Sequence, residues 1–277
     1  MPKQKKVRHV LGISGGKDST ALAIYMRDKV PEIEYFFCDT GSELPETYDY
    51  LHLLEKYLGK PIIRLGEPEK NGEKYFNYWL DMNGNFLPSS RQRWCTVVLK
   101  IKPIEEFIGS DKTISYVAIR ADEDSRKGYI KPPKGNIEVV YPFIKAGVVK
   151  AGVYKILENA GMGLPKYYEW RTRSGCYFCF FQRKFEWVGL MEKHPDLFKK
   201  AMQYEKYDPK TGKKFTWSQE ESLEELSKPE RVSEIKAWHM KQMEKEKAQK
   251  KERPLHEVFE EALDSEDGDM PCLVCNL

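Results

Sequence analysis

Hydrophobic and polar positions follow two alternating periodicities through the first part of the chain. Short apolar runs bounded by turn residues predict strands at 7–13, 33–38 and 61–65. Between them, residues 19–29 and 45–58 carry apolar side chains at helical spacing. Strands that alternate with helices predict right-handed βαβ units and a parallel sheet.

The pattern downstream is more helical. Glycine, proline, asparagine and serine predict an irregular segment over 66–94. Further strands are predicted at 113–119 and 139–144, and helices at 101–108, 148–161, 184–193, 195–207, 229–250 and 254–263. The expected fold is α/β: a Rossmann-like open parallel sheet flanked by helices, with a helical C-terminal extension. We expect an α/β domain over 1–165 and a cysteine-containing, mainly helical region over 166–277.

Composition and charge exclude several classes of protein. The chain has 277 residues, with 46 basic and 43 acidic side chains and a net charge of +3, which is not the strong excess of a dedicated nucleic-acid binder. No apolar run approaches the roughly 20 residues that a membrane span needs. The basic N-terminal segment is followed by an apolar stretch too short for a signal peptide. We therefore expect a cytoplasmic protein without a membrane partner.

The cysteines predict a thiol or metal site. Six are present, and four of them form two C-x-x-C pairs, Cys176 with Cys179 and Cys272 with Cys275. In a reducing compartment such pairs indicate metal, cluster or redox chemistry rather than a disulfide framework.

A glycine-rich segment follows the first predicted strand and opens a helix. Its residues are Ser14, Gly15, Gly16, Lys17, Asp18 and Ser19. Glycine lets backbone N–H groups approach a phosphate closely, and the helix N-terminus adds unpaired donors and a positive dipole end. Lys17 adds a charge and Ser19 a hydroxyl. Because Asp18 follows the lysine and the glycine spacing is short, the segment is not a Walker A loop.

This segment, S-G-G-K-D-S, resembles the PP-loop of the adenine nucleotide α-hydrolase-like superfamily. The resemblance implies that the loop holds the pyrophosphate, phosphate or sulfate groups of a nucleotide. It also implies cleavage of ATP between its α- and β-phosphates, with Lys17 and Asp18 in catalytic roles. ATP would bring Mg²⁺, which needs few protein ligands when phosphates hold it.

Further motifs resemble the phosphoadenosine phosphosulfate (PAPS) reductase family. The segment that begins at Asp39 is similar to the D-T-G-x-x-x-P-E-T segment, which implies that Asp39 lies by the nucleotide or its metal. The segment Arg93-Trp94-Cys95-Thr96, with Lys100 and Pro103, resembles C-C-x-x-x-K-x-x-P, which makes Lys100 a third catalytic candidate. A later segment resembles G-x-R-x-x-E-S-x-x-R, which implies that Arg120 and Arg126 contact phosphate or sulfate oxygens together with Lys100.

The resemblance extends to an iron–sulfur site. Reductases of this family that carry a 4Fe-4S cluster use a tandem cysteine pair and, about 80 residues later, a C-x-x-C pair. This chain keeps three of those thiolates, Cys95, Cys176 and Cys179, and places threonine at the fourth position. The fourth iron would be open or bound by Cys272 or Cys275. A four-thiolate zinc site from the two C-x-x-C pairs and a metal-free thiol set are the alternatives.

The expected function is a PP-loop ATP pyrophosphatase of the PAPS reductase-like family. Its chemistry would couple activation of the nucleotide α-phosphate to cluster-dependent sulfur transfer, with a nucleic acid or small molecule as acceptor. Similarity to phosphorothioation components, CRISPR-associated and phage proteins implies a mobile-element or defence setting. The alternatives are a reductase of adenylyl sulfate or its 3′-phosphorylated form, although the chain lacks the E-C-G-L-H tail of true reductases, and a catalytically silent nucleotide-binding module. Expected partners are an adenine nucleotide, a nucleic acid or protein at the C-terminal helical region, and a second copy of the chain.

Overall fold

A sheet of five parallel strands organises the first part of the chain in the computed structural model. Its strands are β1 (Arg8–Gly12), β2 (Glu34–Cys38), β3 (Ile62–Leu65), β4 (Thr113–Tyr116) and β5 (Ile137–Val140). They lie in the order β3-β2-β1-β4-β5, so the central strand is β1, and the order reverses beside it. In such open sheets, ligands bind beyond the carboxyl ends of the strands at the reversal point.

Helices connect the strands and cover both faces of the sheet. They are α1 (Lys17–Met26), α2 (Pro45–Leu58), α3 (Glu73–Met82), α4 (Trp94–Thr96), α5 (Lys102–Ile108), α6 (Pro142–Lys145) and α7 (Lys150–Asn159). A π-helical segment, Val97–Ile101, joins α4 to α5, and a 3₁₀ turn, Lys166–Glu169, follows α7. This arrangement agrees with the predicted Rossmann-like α/β fold.

Each face of the sheet has its own hydrophobic core. On one face, buried side chains of α1, α2 and α7 pack against the inner strands, with Leu22, Leu54 and Leu157 almost inaccessible to solvent. On the other face, Val10 and Phe36 pack with residues of α5. Burial on both faces is expected for a parallel sheet and explains why its strands are continuous apolar runs rather than alternating ones.

The structure describes residues 7–66, 73–123, 135–207, 212, 214–218 and 221–249. The chain divides into two compact units, of which the first runs to Tyr177 and the second begins at Phe178. The sequence placed the corresponding change between residues 165 and 166. None of the helices in these described ranges is long and apolar enough to cross a membrane.

The second unit is mainly helical. Its helices are α8 (Lys184–Lys193), α9 (Pro195–Tyr204), α10 (Leu223–Leu226) and α11 (Pro229–Gln249), and two short antiparallel strands, β6 (Lys206–Tyr207) and β7 (Lys214–Phe215), form a hairpin. Trp217 lies in its core: the ring stacks on Phe178 at 5.1 Å, and the indole N–H donates to the carbonyl oxygen of Ala201 at 2.9 Å. Trp217 is thus a packing residue, whereas Trp238 is 53% exposed.

Several predicted elements differ from the structure. The segment predicted as irregular contains α3, in which Phe76 and Leu80 are buried one turn apart. The strand predicted over 139–144 ends at Val140, because Pro142 begins a helical turn at the position where proline is favoured. The helix predicted over 195–207 ends at Tyr204, where the hairpin begins. The helix predicted over 254–263 lies outside the described residues.

Candidate functional site at the carboxyl edge of the sheet

The PP-loop lies at the carboxyl end of the central strand. β1 ends at Gly12 and α1 begins at Lys17, so the loop connects the strand directly to a helix N-terminus. The Ile13 N–H donates to the carbonyl oxygen of Phe36 at 2.7 Å, which ties the start of the loop to β2. The first N–H groups of α1, which have no acceptor within the helix, therefore point toward the ligand edge of the sheet.

Neighbouring side chains approach the backbone of the loop closely at its two glycines. Gly15 has a φ of 73°, a conformation that other L-residues rarely adopt. A Cβ atom at Gly15 would lie 2.6 Å from Cγ2 of Thr47, so the first turn of α2 also excludes a side chain there. A Cβ atom at Gly16 would lie 2.9 Å from Oγ of Ser174. The loop thus requires glycine at position 15, whereas a side chain at position 16 would have to displace the Ser174 hydroxyl.

Serine hydroxyls hold the loop in shape. The Ser14 N–H donates to Oγ of Ser19 at 3.1 Å, and the Ser19 hydroxyl donates to the carbonyl oxygen of Gly16 at 3.2 Å. Ser19 is almost fully buried. Ser19 stabilises the loop through these hydrogen bonds. Its predicted contact with a ligand stays a prediction.

Lys17, Asp18 and Arg120 form a chain of charges beside the loop. Nζ of Lys17 lies 2.8 Å from Oδ2 of Asp18, and Nη1 of Arg120 lies 2.9 Å from Oδ1 of the same carboxylate. Burial disfavours the Lys17 ammonium, but its interactions with Tyr168 and Asp18 outweigh burial and raise the pKa of Lys17. Lys17 is therefore a cation at neutral pH, and Asp18 fixes its position.

Arg120 and Arg126 are the two arginines predicted to contact phosphate or sulfate oxygens. Arg120 directs its guanidinium to carboxylates: besides Asp18, it contacts Asp122 at 2.9 Å and Glu123 at 3.5 Å. In this conformation Arg120 orders the acidic residues beside the loop. Arg126 lies outside the described residues.

Asp39 occupies the predicted place at the end of β2. Its Oδ1 accepts hydrogen bonds from the Gly41 N–H at 2.9 Å and from the Tyr48 hydroxyl at 2.8 Å. These bonds form the turn that leads into α2, so Asp39 shapes this edge of the site. Its predicted contact with a nucleotide or metal stays a prediction.

Glu43, in the segment that begins at Asp39, has a buried carboxyl group. Its Oε1 accepts from Thr40 Oγ1 at 3.1 Å and lies 3.7 Å from Sγ of Cys176. Its Oε2 is buried without a hydrogen-bond partner among the described residues. Burial raises the pKa of Glu43, and the positive charge of Lys100 only partly offsets this.

A pocket opens beside Ser14 at the carboxyl ends of β1 and β2. It combines one cation, hydroxyl groups and a carboxyl group with apolar walls. The lining residues are Ile13, Ser14, Phe37, Cys38, Glu43, Lys100, Ser174 and Gly175. Lys100 comes from the π-helical segment, a type of distortion that is frequent at functional sites. The structure therefore brings Ser14 of the PP-loop and Lys100 together in one pocket.

The segment that follows α7 supplies residues that sequence reasoning missed. The Tyr167 hydroxyl donates to the carbonyl oxygen of Gly15 at 2.7 Å, and the Tyr168 hydroxyl accepts from the Lys17 N–H at 3.3 Å. Buried Arg171 donates to the carbonyl oxygens of Gly175 and Cys176, both at 2.9 Å. The sequence signal was the density of tyrosine and arginine just before the C-x-x-C pair.

The cysteines are free thiols where the structure describes them. Cys38 is buried, and burial raises its pKa to about 12, so it is an inert packing residue. Cys95 and Cys176 are partly exposed in the first unit, and Cys179 is partly exposed in the second. Cys272 and Cys275 lie outside the described residues.

The donor chemistry of these thiols suits an iron–sulfur cluster or zinc. Within the described ranges, however, no group of three or more histidine, cysteine, aspartate or glutamate side chains is placed to hold a metal ion. Sγ of Cys176 instead lies 3.1 Å from Oγ1 of Thr40. The described thiols thus do not form a complete ligand set for a metal ion.

The chain is similar to a known protein family over nearly half of its length. Residues 8–132 match the family model of the phosphoadenosine phosphosulfate reductase domain. The match includes the PP-loop, the segment that begins at Asp39, and Lys100, so the resemblance predicted from these motifs is confirmed over this part of the chain.

Three curated relatives of the chain are named as uncharacterised proteins. An uncharacterised protein of Methanocaldococcus jannaschii is 28% identical over 200 residues, which cover 69% of this chain and 40% of the relative. A second protein of that organism is 24% identical and is covered over 48% of its length. An uncharacterised protein of Escherichia phage 186 is 24% identical, with 72% of this chain and 74% of the relative covered. The chain thus spans less than half the length of the two archaeal relatives.

Two solved structures are similar to the chain at low identity. A PAPS reductase from Candida auris in complex with phosphate has a TM-score of 0.46 and 14% identity, covering 62% of this chain and 82% of the reductase. The U34-tRNA thiolase NcsA from Methanococcus maripaludis, with its 4Fe-4S cluster, has a TM-score of 0.40 and 12% identity, covering 72% of this chain and 71% of the thiolase.

Proposed function

We propose that this protein is an enzyme that binds an adenine nucleotide with its phosphate or sulfate groups on the PP-loop. The observation that carries the proposal is the meeting of Ser14 and Lys100 in one pocket, at the carboxyl edge where the strand order reverses. Helix N–H groups and a buried, positively charged Lys17 stand beside that pocket. An anion held there is surrounded by charge-assisted donors in a partly dry site, where such contacts are strong.

The residues at this edge have different roles toward a bound nucleotide. The N-terminal N–H groups of α1 and the Lys17 ammonium bind the charged groups, and Asp18 holds that ammonium in place. Lys100 is suited to neutralise charge that develops on the leaving group, since it lines the pocket from the opposite element. Mg²⁺ would accompany ATP and be held mainly by its phosphates.

The second half of the proposed reaction is sulfur transfer to an acceptor, which is a nucleic acid or a small molecule: sulfur from a sulfide donor displaces AMP from the adenylated acceptor. The cysteine spacing supports this half, and Cys95, Cys176 and Cys179 are the residues that would hold a 4Fe-4S cluster. The relative in a phage supports a mobile-element setting. We place the acceptor or a protein partner at the helical second unit, and we include a second copy of the chain among the partners.

The main alternative is a sulfonucleotide reductase, which the family match favours. The two activities differ in substrate and product. We would incubate anaerobically purified protein with ATP and Mg²⁺, or with adenylyl sulfate and a dithiol reductant. Release of pyrophosphate from ATP supports the proposed function, and release of sulfite supports the alternative. Binding of either nucleotide without turnover would identify a silent binding module, and the absence of binding would contradict all three.

A further inference from the structure

Two hydroxyl groups from the segment after α7 face the PP-loop; we call Tyr168 and Ser174 the hydroxyl wall. Oη of Tyr168 accepts a hydrogen bond from the Lys17 N–H at 3.3 Å, and the Ser174 hydroxyl donates to Oγ of Ser14 at 3.2 Å. A Cβ atom at Gly16 would lie 2.9 Å from Oγ of Ser174 and 3.4 Å from Oη of Tyr168. Both hydroxyls therefore lie directly beside the backbone of the PP-loop.

Two consecutive tyrosines have different hydrogen-bonding roles. Tyr167 is fully buried, and its hydroxyl donates to the carbonyl oxygen of Gly15 at 2.7 Å. Tyr168 accepts from a backbone N–H, and in the part of the chain that the structure describes, its hydroxyl has that one hydrogen-bond partner. The hydroxyl proton of Tyr168 thus remains available to an acceptor. Tyr167 stabilises the loop through its hydrogen bond, whereas the Tyr168 hydroxyl can still donate one beside the loop.

The electrostatic surroundings favour an anion as that acceptor. The Lys17 ammonium lies 5.5 Å from the centroid of the Tyr168 ring, within range of a cation–π contact. Burial raises the pKa of Tyr168, so its hydroxyl keeps its proton at neutral pH. The N–H that now contacts Tyr168 belongs to the first residue of α1, where an anion is favoured. A phosphate oxygen at that N–H would also lie within reach of the hydroxyl.

We infer that the hydroxyl wall completes the anion site, with Tyr168 and Ser174 donating to the oxygens of a phosphate or sulfate group held on the PP-loop. The inference rests on the proposed function, because it assigns residues to the same ligand. The Lys17 N–H exchanges the Tyr168 oxygen for a ligand oxygen, and the Tyr168 hydroxyl turns to donate to that ligand. Ser174 acts from the pocket side, where its hydroxyl turns from Oγ of Ser14 to donate to the ligand.

The test compares Tyr168→Phe with the wild-type full-length chain by isothermal titration calorimetry. The substitution removes the hydroxyl and keeps the ring beside Lys17. The probes are inorganic pyrophosphate, ATP with Mg²⁺, and adenylyl sulfate, which separate phosphate from sulfate as the bound group. Tyr116→Phe is the matched control, since the Tyr116 hydroxyl contacts Nδ1 of His9 at 2.9 Å and not the loop. Ser174→Ala provides a second, independent variant.

We expect Tyr168→Phe to bind at least one probe about ten- to a hundredfold more weakly, which is the range for one hydrogen bond to a charged group. The control should bind as the wild type does. Unchanged or tighter binding by folded Tyr168→Phe overturns the inference and leaves the proposed function standing, because the wild type still binds. If Tyr168→Phe does not fold, unchanged binding by Ser174→Ala overturns the inference instead. A wild-type chain that binds none of the probes overturns both proposals.

Discussion

Arg120 and Asp18, which are 102 positions apart in the sequence, form an ion pair of 2.9 Å in which each side chain is only 12% exposed. Asp18 also accepts from Lys17 at 2.8 Å. The pair therefore connects the end of β4 to the PP-loop and sets the position of its lysine. A buried charge that loses its partner is costly, because neither water nor another group replaces the lost contact.

Substitution of Arg120 should destabilise the protein more than a surface change does. We expect Arg120→Met to lower the free energy of unfolding by about 3 kcal/mol, since it leaves Asp18 with one cation fewer. Arg120→Lys should recover only part of this loss, because an ammonium cannot span the carboxylates that the guanidinium contacts. Urea unfolding of Arg120→Met, Asp18→Asn and the double variant measures the coupling. Additive losses would show that the pair contributes nothing as a pair.

A second prediction concerns the space above Gly15. Gly15→Ala places a methyl group 2.6 Å from Thr47 Cγ2, whereas Gly59→Ala meets no atom within 4 Å although Gly59 has a similar φ of 65°. Both variants incur the left-handed cost of about 1–2 kcal/mol. Only Gly15→Ala also overpacks, which adds about 1–3 kcal/mol.

Thermal unfolding and ATP binding check this prediction, and Thr47→Ser tests its cause. The serine lacks Cγ2, so Gly15→Ala combined with Thr47→Ser should recover the overpacking part of the loss. Equal losses in Gly15→Ala and Gly59→Ala, or no recovery in the double variant, would contradict the steric explanation.

The sequence revealed the parts of the site that are contiguous in the chain. Ser14 to Ser19 form a local strand–loop–helix unit, so their spacing alone places them at a helix N-terminus. Tyr168 and Ser174 could not be found in this way, because they reach the loop through contacts between residues 151 and 160 positions apart. Arg120 was found by its motif, but its ion pair with Asp18 depends on the same long-range packing. The parallel sheet was predictable because its strands are short apolar runs, whereas α3 was hidden by the glycine and asparagine residues on both sides of it.

The third prediction concerns the contribution of Lys17 to ATP binding. Lys17→Ala should weaken ATP binding by at least about tenfold, because charge-assisted contacts to phosphate are the strong ones and this side chain is the loop's own cation. Lys29→Ala is the matched control: it removes the same charge just beyond the end of α1, where Lys29 contacts the ring of Tyr25. Calorimetry should show loss of affinity in the first variant alone. Unchanged affinity in Lys17→Ala would remove the phosphate-loop assignment.

The fourth prediction is a pH dependence at the opposite edge of the sheet. The Arg8 guanidinium, at 2.8 Å, holds the pKa of Glu34 below its ordinary value of 4.5. A depressed pKa in the folded state contributes stability above the unfolded value, and that contribution is lost as the pH falls through the folded value. Glu34→Gln should thus cost about 0.2–1 kcal/mol at pH 7, the range for partly exposed pairs.

That difference between Glu34→Gln and the wild type should shrink progressively below about pH 5, as Glu34 becomes protonated. Urea midpoints measured from pH 7 to pH 3 check the trend. A difference that is constant across this range would show that Glu34 contributes through packing rather than charge.

The last prediction separates the two cysteines nearest the pocket. If Cys176 is a cluster ligand, anaerobically purified protein should be brown, with iron and acid-labile sulfide near four each per chain, as a cubane cluster requires. Cys176→Ser should then lose colour, iron and sulfide together. Cys38→Ser should keep all three, because Cys38 is buried with its thiol directed at the carbonyl oxygen of Lys100 and its pKa raised to about 12. Stoichiometric zinc without sulfide would favour the alternative zinc site, and a colourless, metal-free wild type would leave sulfur transfer to the thiols alone. Equal loss of colour in both variants would instead indicate that the substitutions act through folding, which circular dichroism of each variant would reveal.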